Sequence, residues 1–205
     1  MKKSYLILAG ALITLSVVGL MAFDEKDKTL NTPNSILSPQ MPEKLTFAGE
    51  AVPLQDFDVK ERFDRELMIN TFWHSQTMYL LKKSQRYLPV IEKILREQGV
   101  PDDFKYLAMA ESGLANVTSP AKAEGFWQFL ESTGKRYGLE INDEVDERYH
   151  LEKATIAACK YLKDSKNKLG NWTLAAAAYN MGEAGVQKAI DKQGVKNYYD
   201  LLLNS

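Results

Sequence analysis

The sequence predicts an all-α domain, and three of its features support this fold class. Apolar residues recur at helical spacing from Glu61 onward, beginning with Phe63, Leu67 and Phe72. Proline, glycine and asparagine stand where helices are expected to begin or end. No stretch of the sequence has the sustained alternation of apolar and polar residues that a half-buried strand requires.

The first 60 residues are predicted to lie outside this domain. Lys2 and Lys3 precede an uncharged run from Tyr5 to Phe23, a pattern typical of a signal peptide or an N-terminal membrane anchor. Both alternatives remain open, with a slight preference for a cleaved signal. Residues 24–60 contain a charge cluster and four prolines but no apolar period, so we predict a linker there. We therefore expect an exported, periplasmic protein, with membrane association through the N-terminal segment if that segment is retained.

The domain itself is predicted to span 61–205, and its N-terminal helices to occupy 61–100. The first helical pattern continues weakly as far as Leu88. A second, short helix is predicted over Pro89–Gln98, because proline is favoured in the first turn of a helix and a glycine follows. The acidic residues after Pro101 mark the start of the next helix, since negative charge is favourable at a helix N-terminus.

The motif-bearing core is predicted to span 101–192. Besides the helix that starts after Pro101, its predicted helices are one that stops near Gly138, then Leu151–Leu169, 171–180 and Glu183–Lys192. Gly170 and Gly182 end two of them, and Asn171 is a suitable N-cap. The segment 143–150 is expected to be a polar, solvated loop.

Composition excludes several classes of function. The chain has 26 Lys and Arg against 27 Asp and Glu, so it lacks the basic excess that nucleic-acid binding usually requires. One cysteine and two histidines are too few for a zinc site built from these residues alone, and one cysteine forms no internal disulfide. We expect no metal, no cofactor and no nucleic-acid partner. Cys159 is expected to be a packed thiol, and His74 and His150 to be surface or packing residues.

A candidate catalytic acid lies in the segment Tyr106–Gly113. The segment is apolar on all sides, which predicts a buried helix, and Gly113 is a suitable helix stop. Glu111 would then lie among apolar neighbours at the negative end of the helix dipole, and both effects raise the pKa of a carboxyl group. An acid that stays protonated near neutral pH is suited to glycoside cleavage. Taken alone, the segment leaves open that Glu111 turns outward into solvent.

Three motifs in order favour the catalytic interpretation. They are Glu-Ser-Gly-Leu at 111–114, Ser-Pro-Ala-Lys-Ala-Glu-Gly-Phe-Trp-Gln-Phe at 119–129, and Ala-Ala-Tyr-Asn-Met-Gly at 177–182. Together they resemble the goose-type lysozyme and lytic transglycosylase family, in particular its membrane-bound transglycosylase D-like branch. The resemblance spans roughly Pro101 to Ile190. It departs from the family pattern at Lys122, where the family usually has glycine, and in a Glu111-to-Gln128 segment that is one residue shorter than usual.

The resemblance implies a lysozyme-like fold with extra N-terminal helices and a lytic transglycosylase that acts on peptidoglycan without metal or cofactor. Glu111 would protonate the bridging oxygen of the MurNAc–GlcNAc bond. It would then act as a base on the MurNAc 6-hydroxyl, which closes onto C1 to form a 1,6-anhydro sugar. The residues implied in substrate binding are Ser112, Ser119, Gly125, Gln128, Tyr179 and Asn180.

These residues have distinct implied roles. Tyr179 would hydrogen-bond Glu111 or the developing charge, and Asn180 would orient a sugar hydroxyl or acetamide. Ser112 would hold the end of the helix, and Gly125 would let the backbone approach the sugar closely. Trp127, by contrast, is expected in the core rather than as a sugar platform.

Two other functions remain open at this stage. One is a hydrolytic muramidase, which needs a second carboxylate; the nearest acidic cluster, 143–147, is expected to be solvated. The other is a non-catalytic peptidoglycan-binding or scaffold protein that keeps the cleft but has lost turnover through its unusual loop.

Overall fold

Most of the chain from residue 57 onward is helical, as the apolar spacing predicts. The computed structural model describes residues 38–203, so the predicted signal or anchor and residues 24–37 of the predicted linker lie outside the described residues. Within 38–203 there are eight α-helices: α1 Phe57–Phe72, α2 His74–Glu97, α3 Lys105–Ser112, α4 Glu131–Arg136, α5 Leu151–Leu169, α6 Trp172–Met181, α7 Glu183–Gln193 and α8 Tyr198–Leu203. The prediction of an all-α fold class is confirmed. No helix in this range has both the length and the apolar character needed to cross a bilayer.

The longest helix, α2, contains Pro89 in its interior, so the predicted boundary between Leu88 and Pro89 is wrong. Proline removes one backbone hydrogen bond and crowds the preceding turn, which costs about 3 kcal/mol in a helix interior. After Pro89 the apolar stripe continues, and Ile91, Ile94 and Leu95 are buried. Burial of each such side chain contributes about 1.5–3 kcal/mol, so their packing outweighs the proline's effect.

The predicted linker differs from the structure in residues 46–54. A small antiparallel hairpin, β1 Thr46–Phe47 and β2 Glu50–Ala51, packs on the helices. Phe47, Val52 and Leu54 are buried in the main core. Strands of two residues are too short to show an alternating pattern, and this is why the sequence did not reveal the hairpin.

The centre of the core is formed by α5 and α6. Alanines 175–178 of α6 are buried, and their small side chains let neighbouring helices approach closely. Trp127 is fully buried and donates a hydrogen bond from Nε1 to Thr155 Oγ1 at 2.8 Å. Cys159 is also fully buried. The predictions that Trp127 lies in the core and that Cys159 is a packed thiol are therefore confirmed.

Helix ends with a strong local signal were predicted well. Helix α5 has the predicted bounds, and Gly170 ends it in the left-handed conformation at φ 99°. Asn171 caps α6 by accepting a hydrogen bond from the backbone N–H of Leu174 at 2.8 Å. Helix α8, by contrast, was not predicted, because six residues are too few to show a period. Its Tyr198 and Tyr199 are buried.

The prediction of a solvated loop over 143–150 is wrong at its C-terminal end. Glu147 and Arg148 lie in a buried 3₁₀ turn, Glu147–Tyr149. The Arg148 guanidinium binds the Asp146 carboxylate and donates from Nη1 to the carbonyls of Lys122 and Phe129, both at 3.2 Å. The charged residues are buried because they satisfy one another and the neighbouring backbone.

Candidate active site

Helix α3 places Glu111 where the chain leaves the core. Tyr106, Leu107, Ala108 and Met109 are all buried, and this packing fixes the helix. Gly113 ends it at φ 59°, in the left-handed region that glycine adopts without strain. Glu111 lies in the last turn and is only partly exposed to solvent. The alternative of a solvent-directed Glu111 therefore does not describe this structure.

The environment of Glu111 gives its carboxyl group an unusual pKa. Burial raises the pKa from its ordinary value near 4.5 to about 7, because the charged form loses hydration. A hydrogen bond from Asn180 acts in the opposite direction. The group is thus balanced between its acid and base forms near neutral pH, which suits a residue that must act as both.

Helix α6 brings the third motif to Glu111. Its last turn carries Asn180, whose Nδ2 lies 3.4 Å from Glu111 Oε1. Tyr179 precedes it and is partly buried, and its hydroxyl donates to the carbonyl of Trp127 at 2.7 Å rather than to Glu111. Burial, and next the Glu111 charge, raise the pKa of Tyr179 well above its ordinary value, so it remains a neutral hydrogen-bond donor.

Two further tyrosines, neither of them predicted to lie at the site, hold Tyr179 in place. The Tyr161 ring packs edge-on against Tyr179, with 5.2 Å between ring centroids, and its hydroxyl donates to the carbonyl of Ala178 at 2.6 Å. Tyr137 packs in turn against Tyr161, with centroids 5.3 Å apart. Neither tyrosine lies within one of the three motifs: Tyr137 follows α4 and Tyr161 lies on α5.

Gln128 ties together the loop of the second motif. Its Nε2 donates to the carbonyls of Val117 and Gly125, both at 2.8 Å. The backbone of Gln128 has φ 48°, an unusual conformation for a residue with a side chain. The side-chain hydrogen bonds offset this strain, which is the pattern expected where a loop must hold one shape.

The two predicted serines make local hydrogen bonds. Ser112 Oγ donates to the carbonyl of Ala108 at 3.1 Å and accepts from the N–H of Ala115 at 3.4 Å, so it holds the end of α3. Ser119 Oγ accepts from the N–H of Ala123 at 2.9 Å and closes a tight turn. The two serine hydroxyls were predicted to contact the glycan, and part of their hydrogen-bonding capacity is therefore already used within the protein.

Gly125 is required by close packing of the protein backbone. Its φ is 78°, and a Cβ atom at this position would lie 2.0 Å from the carbonyl oxygen of Arg148. The resemblance to the family implies that this glycine lets the backbone approach a sugar closely. The structure supplies a different reason, the approach of the buried 3₁₀ turn.

Lys122, which departs from the family pattern, also has a positive φ of 61°. Glycine adopts this conformation without strain, so the family's preference for glycine here has a physical basis. The carbonyl of Lys122 accepts a hydrogen bond from Arg148 Nη1, which holds the strained turn against the core.

The same loop carries a second carboxylate, Glu124. Its Oε2 accepts a hydrogen bond from Thr118 Oγ1 at 2.5 Å and another from the Tyr149 hydroxyl. Glu124 thus connects the loop to the end of the buried 3₁₀ turn. No group of three or more His, Cys, Asp or Glu side chains suited to a metal ion occurs among the described residues.

A cavity of about 490 Å³ lies at the other end of α6, beside Trp172, and not at Glu111. Glu92 and Asp102 line it together with Arg96. Both carboxylates are paired with Lys105, at 2.8 and 2.5 Å. The raised pKa of the Glu111 carboxyl group and its hydrogen bond from Asn180, rather than this cavity, therefore mark the candidate active site.

Taken together, these features define a class of protein: a lysozyme-like helical domain with one half-buried glutamic acid at the end of a buried helix. The sequence comparison specifies the family. Residues 89–202, more than half of the chain, match the family described as Transglycosylase SLT domain, and the chain belongs to this family. The resemblance to the lytic transglycosylase family and the predicted fold are confirmed. All the predicted site residues lie within the matched range.

Individual relatives agree with this family assignment. The chain is 32% identical over 135 residues to membrane-bound lytic murein transglycosylase D of Escherichia coli (strain K12), which is 64% of this chain and 29% of that protein. The protein of the same name from Escherichia coli O6:H1 gives the same values. A protein of Alteromonas sp. (strain M-1), provisionally named for tributyltin chloride resistance, is 27% identical over 117 residues, 56% of each chain. The chain thus matches less than a third of the length of the two Escherichia coli relatives.

Proposed function

We propose that this protein is a murein lytic transglycosylase that cleaves the MurNAc–GlcNAc β-1,4 bond of peptidoglycan and leaves a 1,6-anhydroMurNAc end. The observation that carries the proposal is Glu111, a half-buried carboxyl group with a pKa of about 7. Family membership and the names of the Escherichia coli relatives support the substrate class.

In the first proposed step Glu111 is the general acid. Its proton passes to the bridging oxygen, and the bond between that oxygen and C1 of MurNAc breaks, with assistance from the neighbouring N-acetyl group. Asn180 holds the Glu111 carboxylate that remains, because its amide donates to Oε1. The partly buried, neutral Tyr179 keeps the adjacent backbone of Trp127 in place.

In the second step Glu111 is the general base. The MurNAc 6-hydroxyl oxygen attacks C1, and its proton returns to Glu111, so the enzyme regains its starting form and no water is consumed. One residue can perform both steps because a pKa near the working pH makes both proton transfers accessible.

The proposed location follows from the N-terminal sequence and the membrane-bound relatives. We propose that the protein is exported to the cell envelope and works in the periplasm, with residues 1–23 as its signal peptide or membrane anchor. Glycan strands of peptidoglycan are the proposed partner.

The decisive experiment is digestion of purified sacculi by the full chain, with Glu111→Gln alongside, and identification of the muropeptides by mass spectrometry. Anhydro-ended products that disappear in the variant are expected. Reducing ends would instead indicate a muramidase. Binding without any product from the folded wild-type protein would indicate a glycan-binding scaffold.

The pH dependence of stability provides a control for correct folding of the Glu111→Gln variant. Because the folded protein holds the Glu111 proton more tightly than the unfolded chain, stability should fall as pH rises from about 4.5 to about 7. The Glu111→Gln variant has no ionisable group at this position, so its stability should not fall in this way as pH rises. Its free energy of unfolding should exceed that of the wild type at pH 8, by about 3 kcal/mol, and match it at pH 4.

A further inference from the structure

We propose that Tyr79 and Lys83 form an additional glycan subsite beside Glu111. Both residues lie on α2 upstream of residue 89, where the match to the family begins, so they belong to a part of the chain that the family domain does not include. The proposal rests on the proposed function, because it assigns the same glycan substrate to a longer binding surface.

Lys83 connects this part of α2 to the end of the candidate catalytic helix. Its Nζ donates a hydrogen bond to the carbonyl of Gly113 at 2.9 Å. Gly113 ends α3 two residues after Glu111. The same ammonium group lies 4.4 Å from the centroid of the Tyr79 ring, in a cation–π contact. The Lys83 ammonium group therefore contacts both the Tyr79 ring and the end of the helix that carries Glu111.

Helical spacing places Tyr79 on the face of α2 that borders the motif loop. Residues 79, 83 and 87 are four apart and so share one face. Tyr87 packs against Phe126 of the second motif, with ring centroids 4.9 Å apart. Along this face α2 contacts first the loop that contains Gln128 and then the end of α3. Tyr79 lies four residues before Lys83, about 6 Å further along the helix axis.

The chemistry of the two side chains fits a sugar. Tyr79 is 57% exposed, although its ring is held by Lys83. An exposed aromatic ring can pack against the C–H face of a pyranose. The Lys83 ammonium has three N–H donors, of which Gly113 uses one. The others can bind sugar hydroxyls or the carboxylates that peptidoglycan carries on its lactyl and peptide groups.

A lipid surface is the rival occupant, because other apolar residues are exposed where α1 meets α2. Phe72, Trp73 and Met78 are 39%, 57% and 57% exposed. A bilayer would engage these residues together, whereas a glycan that extends from Glu111 would meet Tyr79 and Lys83 first. The hydrogen bond from Lys83 to Gly113 favours the glycan, since it directs the Tyr79–Lys83 pair to the end of α3.

The test measures binding in a Glu111→Gln background, so that no ligand is consumed. Full chains with Tyr79→Ala, Tyr79→Phe or Lys83→Met are titrated calorimetrically with GlcNAc–MurNAc oligosaccharides of two and eight sugars. We expect Tyr79→Ala to weaken octasaccharide binding about fivefold, the scale of one aromatic contact. Lys83→Met should also weaken it. Disaccharide binding should change little, and Tyr79→Phe should keep the wild-type affinity because the ring makes the contact.

Trp73→Ala is the matched control, since Trp73 has the same exposed fraction as Tyr79. Unchanged octasaccharide binding in Tyr79→Ala, or an equal loss in Trp73→Ala, would overturn the proposal. The proposal would also be overturned if Tyr79→Ala binds the glycan unchanged but no longer sediments with anionic phospholipid vesicles. Failure of the proposed function would be seen separately, as wild-type protein that leaves sacculi intact, because the binding assay does not depend on turnover.

Discussion

At Glu111 two opposing effects set the balance between acid and base. Burial on α3 favours the protonated form, and the amide of Asn180 favours the carboxylate. The burial effect is the larger one, so the pKa of Glu111 stays near 7. The sequence could predict the direction of this shift, because the apolar neighbours are adjacent along the chain. It could not predict the opposing bond, which joins residues 69 positions apart.

Replacement of Asn180 by alanine should raise the pKa of Glu111 further, because the carboxylate loses its hydrogen-bond donor. The proposed first step needs protonated Glu111, so the activity lost at high pH should be lost at a higher pH in the variant. Rates of release of anhydro-muropeptides between pH 5 and 9 would measure this. If the variant loses activity at the same pH as the wild type, or at a lower pH, the assigned role of Asn180 is contradicted.

The positive φ of Lys122 makes another prediction at the level of a single residue. Lys122→Gly should stabilise the protein by about 0.5 kcal/mol, since relief of about 1 kcal/mol of left-handed strain exceeds the added flexibility of the unfolded chain. Urea denaturation would measure the difference. The neighbouring Ala121, which is exposed and does not have positive φ, supplies the control: Ala121→Gly should not stabilise. If both variants lose stability equally, the strain argument is wrong.

Whole elements were predictable where the chain carries a local signal. Helices α5 and α6 have caps and stops next to their ends, and the sequence placed them within a residue or two. The interior Pro89 and the buried Arg148 were missed for one common reason. Each is stabilised by partners distant in the sequence, so neither propensity nor periodicity could reveal it.

The hairpin has a direct effect on a motif-bearing helix. The Glu50 carboxylate accepts hydrogen bonds from the N–H groups of Trp172 and Thr173, at 2.6 and 2.9 Å, at the start of α6. It satisfies two donors that a helix N-terminus leaves unpaired and favourably opposes the helix dipole. Glu50 thus helps to fix the helix that ends in Tyr179 and Asn180.

Glu50→Ala should therefore destabilise the protein by about 1–2 kcal/mol, the range for loss of a helix cap. Thermal and urea unfolding would measure this. Glu43→Ala, which removes an exposed glutamate from the same segment, is the control and should have little effect. Equal stability of the two variants would mean that the carboxylate contacts at α6 contribute nothing measurable.

At the scale of the whole molecule, the folding unit extends beyond the family match. That match begins at residue 89, in the middle of α2. The main hydrophobic core nevertheless includes Phe47, Phe63 and Leu67, which precede it. Asp103 also accepts a hydrogen bond from the N–H of Ala48 at 2.6 Å, which joins the hairpin to the start of the motif-bearing core. Residues 46–88 are therefore part of the same core and not a separate domain.

A chain that starts at residue 38 should consequently unfold in a single cooperative transition, whereas one that starts at residue 89 should not. The shorter chain loses the first 15 residues of α2 and exposes apolar surface that α1 and the hairpin cover. At about 25 cal/mol per Å² of apolar surface, burial lost from several large side chains is comparable to the whole stability of a domain. Calorimetry and near-ultraviolet circular dichroism would compare the two chains. A sharp transition of the shorter chain at the same temperature would show that the family domain folds alone, and α1 and the hairpin would then be additions to its surface.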